Sequence, residues 1–160
     1  MDIIIKKMET EAEIRGKAYV HWRSWQEAYP GLVSREYLEK LSLEKCEEIA
    51  FRCPENTLVA KEREQVLGFV CYGEGGGEAP GVGEIFALYV LAERYGTGLG
   101  RRLMDAGLAQ LRDCAKIRLW VLKGNARAIR FYEKCGFRPD GEEQELPALS
   151  AREIRMSLRQ

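Results

Sequence analysis

The sequence predicts a single α/β domain: a mixed, mostly antiparallel central sheet containing one parallel pair of strands, flanked by helices. Three observations carry this. The stretch Glu84–Arg102 runs from an apolar strand through Gly96-Thr97-Gly98-Leu99-Gly100 into a helical pattern, and a second buried strand, Ile117–Leu122, follows that helix. A strand–helix–strand connection is right-handed and makes its two strands parallel. Elsewhere the strands are joined by a short turn or alternate between apolar and polar residues, the mark of antiparallel pairing with one wet face. Finally, 160 residues with a hydrophobic fraction of 46% and a charged fraction of 31% suffice for one sizeable core, and no internal repeat or composition break divides residues 1–160.

The elements follow in order. Ile3, Ile4 and Ile5 make a first strand ending at Lys6-Lys7. Thr10 and Glu13 form a capping-box pattern that starts a helix. Ile14, Ala18, Trp22, Trp25 and Tyr29 recur at three- and four-residue spacing on one of its faces, and Pro30-Gly31 stops it. His21 lies beside that face. Leu32–Leu41 reads as short helix or irregular chain. Ser42 caps a further helix with Leu43, Cys46, Ile49, Ala50 and Cys53 inward, ended by Pro54. Thr57–Lys61 and Val66–Tyr72 form a hairpin about a turn at Glu62–Gln65, and Gly68 signals a bulge or a close backbone approach. Gly73–Gly83, GEGGGEAPGVG, reads as a mobile loop between strands.

The central strand spans Glu84–Leu91, and the helix after the glycine loop runs from Leu99 to about Ala115, with Leu99, Leu103, Met104, Leu108 and Leu111 inward. Asn125 caps the next helix, which ends at Cys135 with Gly136 in the following position. Phe137 begins a strand, Gly141–Ser150 reads as polar loop, and Ile154, Met156 and Leu158 alternate with charged and polar residues in a closing strand.

Composition bounds the partners. Lys and Arg number 25 against 25 Asp and Glu, so bulk charge recruits neither nucleic acid nor a membrane surface. No apolar run reaches the length of a membrane span. Five cysteines without a C-x-x-C pair, and a single His, give no zinc pattern, so no metal is expected. The cysteines read as reduced and mostly buried, as in a cytoplasmic protein.

The glycine loop carries the chemistry. Glycines let the backbone approach a ligand closely. The first N–H groups of the following helix lack internal partners and lie at its positive end, which together suit a phosphate. Arg94, Arg101 and Arg102 add positive charge. A tight strand-to-helix turn would use the same glycines without binding anything. The nucleoside-triphosphate loop is excluded, because Gly100 is followed by Arg101-Arg102 rather than Lys and a hydroxyl residue. The dinucleotide fingerprint is excluded too, because its third glycine falls on Leu103 and the next strand ends in Lys123 rather than an acid.

Tyr95-Gly96-Thr97-Gly98-Leu99-Gly100 resembles instead motif A of the GNAT superfamily of acyl-CoA-dependent N-acetyltransferases, Gln/Arg-x-x-Gly-x-Gly/Ala, with Tyr95 where Gln or Arg is usual. The segment Asn125–Phe137 is similar to the family's second signature, N-x-x-A-x-x-F-Y-E-K-x-G-F. The resemblance implies the acyl-CoA N-acyltransferase fold, with the parallel pair splayed at the centre of the sheet and acetyl-CoA as co-substrate in the splay. It implies that the backbone of Leu88, Tyr89 and Val90 pairs with the pantetheine arm. The loop from Tyr95 and Gly96 through Thr97, Gly98, Leu99 and Gly100 to Arg101 would bind the pyrophosphate. Asn125 would hydrogen-bond the pantetheine arm, and Lys134 and Arg130 would either touch the nucleotide phosphate or be solvated surface charge. A homodimer is the default among relatives.

Acetyl transfer to an amine needs a grip on the coenzyme, a donor for the carbonyl oxygen, a base for an amine of pKa roughly 10, and an acid for a thiolate leaving group. The resemblance points to the Val90 N–H as the oxyanion donor and Tyr132 as the acid. The alternative is that Tyr132 packs in the core with its hydroxyl bonded elsewhere. Glu84, at the start of the central strand, is the candidate base; a carboxylate there could also bind a cationic amine or simply face solvent. Trp25 and Tyr29 are core residues or a wall of the acceptor pocket. The expected reaction is direct attack of a primary amine, on a small molecule or a protein, within a ternary complex. A longer acyl donor stays open. The rival readings are a non-catalytic CoA-binding sensor and a generic nucleotide-phosphate module.

Overall fold

The structure, a computed structural model, describes residues 2–74 and 80–160. Its elements are β1 (Ile3–Lys7), α1 (Glu11–Ala28), α2 (Arg35–Lys40), α3 (Leu43–Arg52), β2 (Thr57–Glu62), β3 (Gln65–Glu74), β4 (Val82–Val90), α4 (Leu99–Gln110), β5 (Lys116–Leu122), α5 (Ala126–Lys134), β6 (Arg138–Leu146) and β7 (Ala151–Arg159). Two 3₁₀ turns, Ala92–Arg94 and Pro147–Leu149, complete the description.

The strands form one sheet in the order β1-β2-β3-β4-β5-β7-β6. Every pairing is antiparallel except β4 with β5. Phe69 and Val70 are neighbours on β3 and point to opposite faces. Phe69 meets His21 of α1, whereas Val70 packs against Gly107 of α4, so helices cover both sides. The main core joins Val59, Leu67, Phe69, Val70 and Ile85 to Leu103, Met104, Ile117, Leu119, Phe137 and Met156. A smaller cluster, Ala18, Leu41, Cys46 and Ala50, fixes α3 to α1.

Two register shifts, at the pairings of β3 with β2 and with β4, shape the middle of the sheet. In β3, Ala60 pairs with Gly68 and Lys61 with Val66, leaving Leu67 as an extra residue. Gly68 is also a close approach: a Cβ there would lie 2.8 Å from the Tyr89 carbonyl oxygen. In β4, Ala87 pairs with Cys71 and Ile85 with Tyr72, so Phe86 is the extra residue. The parallel ladder between β4 and β5 ends there, its last pair being Ile85 with Leu119. A bulge bends its strand and increases local twist. This one steers β4 away from β5 and opens the splay.

Several elements depart from the sequence reading. The Gly141–Ser150 segment is not loop: β6 runs to Leu146 and pairs with β7 past an irregularity between Pro139 and Glu143. It is an edge strand, solvent-exposed until Leu146, so it lacks the apolar alternation by which strands are read. Its cross-strand contacts are ionic, with Arg152 reaching Glu143 at 3.3 Å and Glu145 at 2.7 Å. The helix after the glycine loop stops at Gln110, short of Ala115, and Leu108 is only partly buried while Gly107 takes an inward place. Cys53 is exposed rather than inward, because it follows the last turn of α3. Of the stretch read as loop, Gly73 and Glu74 continue β3 and Val82 and Gly83 begin β4. Residues 75–79 lie outside the described residues.

The capping box is formed as expected: Thr10 accepts from the Glu13 N–H, and Glu13 accepts from the Thr10 N–H. Glu13 does more than cap. It is 3% exposed and is held by Lys6 at 2.8 Å, Lys61 at 3.0 Å and the Glu9 N–H at 2.8 Å, tying α1 to β1 and β2. Burial raises its pKa, but these hydrogen bonds outweigh burial and hold it well below the ordinary 4.5. A depressed carboxyl contributes stability that is complete above the unfolded value and is lost as pH falls toward the folded one. Glu13→Gln is therefore expected to cost about 2–4 kcal/mol in urea unfolding at neutral pH. Its deficit relative to the parent should shrink as pH falls below 4.5. A deficit independent of pH would assign the loss to packing instead.

Candidate active site

The splay between β4 and β5 is the floor of a cleft of about 1030 Å³. One end is bounded by Arg94, Tyr95, Gly96, Gly98, Gly100 and Arg101 with the exposed side of α5; the other by Trp25, Tyr29, Glu84, Trp120, Leu146 and Glu153. Among the predicted site residues, Leu88, Tyr89, Val90, Asn125, Tyr132 and Lys134 also line it. Thr97 and Leu99 do not: the Thr97 hydroxyl donates to the Arg94 carbonyl at 2.6 Å within the loop, and Leu99 is buried in the core.

The backbone of β4 presents its polar groups alternately. Leu91 donates its N–H to the Leu67 carbonyl at 3.0 Å. Antiparallel alternation then turns the groups of Tyr89 toward Phe69 on β3, and those of Leu88 and Val90 toward the splay. Leu88 and Val90 are thus free to bond an inserted arm. The Tyr89 backbone is not, which corrects that part of the expectation; its side chain matters instead. The Tyr89 hydroxyl accepts from Trp25 Nε1 at 3.1 Å and is hydrogen-bonded to the Tyr29 hydroxyl at 3.0 Å. Residues on the strand therefore set the orientation of the aromatic wall on α1. His21 stacks on Tyr89 with planes 15° apart and does not line the cleft. Burial, helped by Lys17, pushes its imidazole down to about 4, so it packs as a neutral ring.

Four of the five α-helices are capped by a side chain: Thr10, Ser34, Ser42 and Asn125. The helix that follows the glycine loop, α4, has none. Its N-cap is Gly98 at φ +86°, a conformation that favours glycine, and the N–H groups of Leu99, Gly100 and Arg101 are left without a capping side chain. Gly100 packs closely under the Phe131 ring, 3.3 Å from where a Cβ would lie. The loop's arginines are committed elsewhere: Arg94 to Glu62 at 2.9 Å, Arg101 to Asp105 at 3.0 Å, and Arg102 to the Ile3 carbonyl at 2.9 Å. The positive character of the loop therefore comes chiefly from its backbone.

Tyr132 stands on α5 with its ring edge-on to Phe131 and Phe137. No described residue hydrogen-bonds its hydroxyl, and burial with the nearby Tyr89 and Cys135 holds its pKa well above the ordinary 10.0. Asn125 Oδ1 is taken by the Ala128 N–H at 3.2 Å, which leaves its amide N–H groups for a ligand. Glu84 is half-buried; burial raises its pKa, Glu153 adds to the rise, and Arg118 and Arg155 oppose it. Among the described residues no cluster of His, Cys, Asp and Glu could hold a metal ion, and no helix is long and apolar enough to cross a membrane.

Residues 19–137 match the family model described as Acetyltransferase (GNAT) family. The chain belongs to the GNAT acetyltransferase family. It is an acetyl-CoA-dependent acetyltransferase. It is 32% identical over 126 residues to the uncharacterized N-acetyltransferase YuaI of Bacillus subtilis, covering 76% of this chain and 72% of that protein. It is 43% identical over 68 residues to the mycothiol acetyltransferase of Streptosporangium roseum, covering 41% of this chain but only 20% of that longer protein. In fold it is similar to the PaiA N-acetyltransferase of Thermoplasma acidophilum in complex with coenzyme A, with a TM-score of 0.77, 24% identity and all of both chains covered. The ribosomal-protein-S18-alanine N-acetyltransferase of Escherichia coli gives a TM-score of 0.71 at 20% identity over 99% of this chain and 94% of that one.

Sequence reasoning missed Glu153 and the Tyr89 hydroxyl. Glu153 was legible only as the exposed side of an alternating strand; its place in the cleft follows from the pairing of β7 with β5 opposite Leu122. The Tyr89 hydroxyl supplies a testable consequence. In this acetyltransferase, Tyr89→Phe should free Trp25 and Tyr29 and raise the acceptor KM several-fold while leaving the acetyl-CoA dissociation constant within about twofold. Steady-state kinetics with calorimetry checks it, and a matching loss of acetyl-CoA affinity would make Tyr89 a support of the strand rather than of the wall.

Proposed function

We propose that this acetyltransferase moves an acetyl group from acetyl-CoA to a primary amine, on a small molecule or a protein, by direct attack in a ternary complex. The observation that carries the reading is the uncapped N-terminus of α4 at one end of a cleft whose floor is unpaired strand backbone. The residues fit the co-substrate. Leu88 and Val90 would hold the pantetheine arm through their backbone, Asn125 through its amide, and the N–H groups of Gly98 to Arg101 the pyrophosphate. When bound, acetyl-CoA supplies an activated thioester carbonyl.

The chain's own groups supply the rest. The Val90 N–H, turned into the splay, donates to the carbonyl oxygen as negative charge builds there. Tyr132 keeps its proton at neutral pH and donates it to the departing sulfur. Its lack of a hydrogen-bond partner among the described residues favours this role over plain packing, and favours an enzyme over a non-catalytic sensor. Glu84 takes the proton of the attacking amine, directly or through water, and its raised pKa brings it closer to that task. Trp25 and Tyr29 form the acceptor wall.

The sign of the pH dependence follows. Glu84 must be ionised to act as a base, so kcat/KM should fall as pH drops through a pKa above 4.5. In Glu84→Gln that acidic limb should vanish along with most of the activity; a persisting limb would assign the base elsewhere. Tyr132→Phe should lower kcat by about 10²-fold or more while acetyl-CoA binds with unchanged affinity. An equal loss of binding would remove Tyr132 from the chemistry. The coenzyme assignment is checked by thermal unfolding: CoA at a hundred times its dissociation constant should add about 2.7 kcal/mol of stability. ATP and NAD should add nothing, and stabilisation by all three would mark a generic phosphate site.

A further inference from the structure

Two carboxylates line the acceptor end of the cleft from different strands. Glu84 is opposite Arg118 in the parallel register of β4 with β5, and Glu153 is opposite Leu122 in the antiparallel register of β7 with β5. Opposed residues share a face of the sheet, and so do Arg118, Trp120 and Leu122, which alternate along β5. Glu84 and Glu153 therefore stand on one face with Trp120 between them, their Cα atoms roughly 16 Å apart by strand spacing alone. They are two separate points of negative charge rather than a joint clamp on one cation. Arg155 is committed to Asp140 at 2.7 Å, and neither it nor Arg118 lines the cleft. Glu27 also lines the cleft but pairs with Arg23 at 3.3 Å.

Glu153 is half-buried, and one of its oxygens accepts from the side-chain amide of Gln144, a neutral partner that sets its direction without neutralising it. Its charge reaches into the site, where it adds to the rise that burial imposes on the pKa values of Tyr29, Tyr89 and Glu84. Beyond Glu153 the cleft is bounded by packed chain. Leu146 and Leu149, on either side of the β6–β7 turn, join Tyr29 and Leu122 in one cluster with Val33 and Leu38. The Ser34 N–H donates to the Leu149 carbonyl at 2.7 Å, which fastens that turn to the connection between α1 and α2. A long peptide would have to part this contact; a short acceptor would not.

We propose that the acceptor is a small diamine, two amino groups joined by a short methylene chain, and that Glu153 is the specificity residue that holds its second ammonium. This rests on the reading of the cleft as an amine-acetylating site. Alkylamines have pKa values of roughly 10, so both amino groups arrive as cations at neutral pH. The first gives its proton to Glu84 and attacks the thioester carbonyl; the N–C bond forms, the C–S bond breaks, and Tyr132 protonates the sulfur. The second keeps its proton and bonds to Glu153, with the methylenes lying over Trp120. The order carboxylate, indole, carboxylate on the sheet thus matches the order cation, methylene chain, cation in the acceptor. A monoamine leaves Glu153 without a counter-charge.

The test measures initial rates on the full chain with acetyl-CoA and three acceptors: 1,4-diaminobutane, n-butylamine and an unblocked octapeptide. It uses the parent, Glu153→Gln and Glu153→Asp, with unfolding midpoints to check that the fold is kept. In the parent, kcat/KM for diaminobutane should exceed that for butylamine roughly 10- to 100-fold, the worth of one or two charge-assisted hydrogen bonds, and the peptide should be the poorest of the three. Glu153→Gln should bring the ratio of the two alkylamines to within about threefold by raising the diamine KM, while the acidic limb assigned to Glu84 persists and acetyl-CoA binds as before. Glu153→Asp, which keeps the charge, should restore much of the preference. Equal kcat/KM for the two alkylamines in the parent, a peptide favoured over the diamine, or a preference that survives Glu153→Gln would overturn the proposal. Loss of kcat together with the acidic limb in Glu153→Gln would also overturn it, by making Glu153 the base. Turnover of none of the three acceptors by the parent would overturn the amine reading and this proposal with it, a result distinct from turnover without preference.

Discussion

The extra residue at Phe86 turns β4 away from β5 just past their last paired residues, Ile85 and Leu119, and this leaves strand backbone unpaired in the middle of a sheet. Buried backbone groups without partners are costly, so a gap of this kind is stable only if solvent or a ligand occupies it. The bulge is held from several sides. Ile85 is locked in the core beneath α4, and Phe86, 56% exposed, lies over Gly73, where any side chain would collide with its ring. The direction in which Leu88 and Val90 present their polar groups, and the distance between the two ends of the cleft, both follow from that single insertion.

The second determinant is electrostatic and concerns what is withheld. The chain caps α1, α2, α3 and α5 with side chains and leaves α4 open. It also pairs Arg94 with Glu62 and Arg101 with Asp105, so the grip of the loop is chiefly a property of backbone geometry. At the other end, burial raises the pKa values of Tyr29, Tyr89 and Tyr132, which keeps three phenols protonated around the splay. Glu84 and Glu153 put negative charge beside them, balanced in part by Arg118 and Arg155. The cleft thus grades from an end suited to anions to an end lined by carboxylates and phenols.

Much of this was legible in the residues. The spacing of Gly96, Gly98 and Gly100, the cap at Asn125 and the Gly136 stop place the loop and the helix carrying Tyr132 without any structure. Thr10 with Glu13 fixed the start of α1. Legibility failed where burial is not periodic. β6 is exposed along most of its length, so its pattern looks like loop, and only its pairing with β7 makes it a strand. Cys53 follows a periodic row and still faces solvent, because the helix ends before it. The Tyr89 backbone seemed interchangeable with its neighbours until the register with β3 showed which way each residue turns.

By itself the sequence determined the fold class, the order of elements, the family and the residue types available for coenzyme and proton transfer. These are properties of local spacing, and local spacing is what a chain carries before it folds. The tertiary structure decided which of those groups face one another. It set the parting of β4 and β5, the commitment of Arg94 and Arg101 to carboxylates, and a Tyr132 hydroxyl that no described residue bonds. Such facts depend on partners far apart in the chain: Arg94 meets Glu62 across 32 residues, and Tyr89 meets Trp25 across 64. Only the packed sheet, with its bulges and its register, brings them within hydrogen-bond distance.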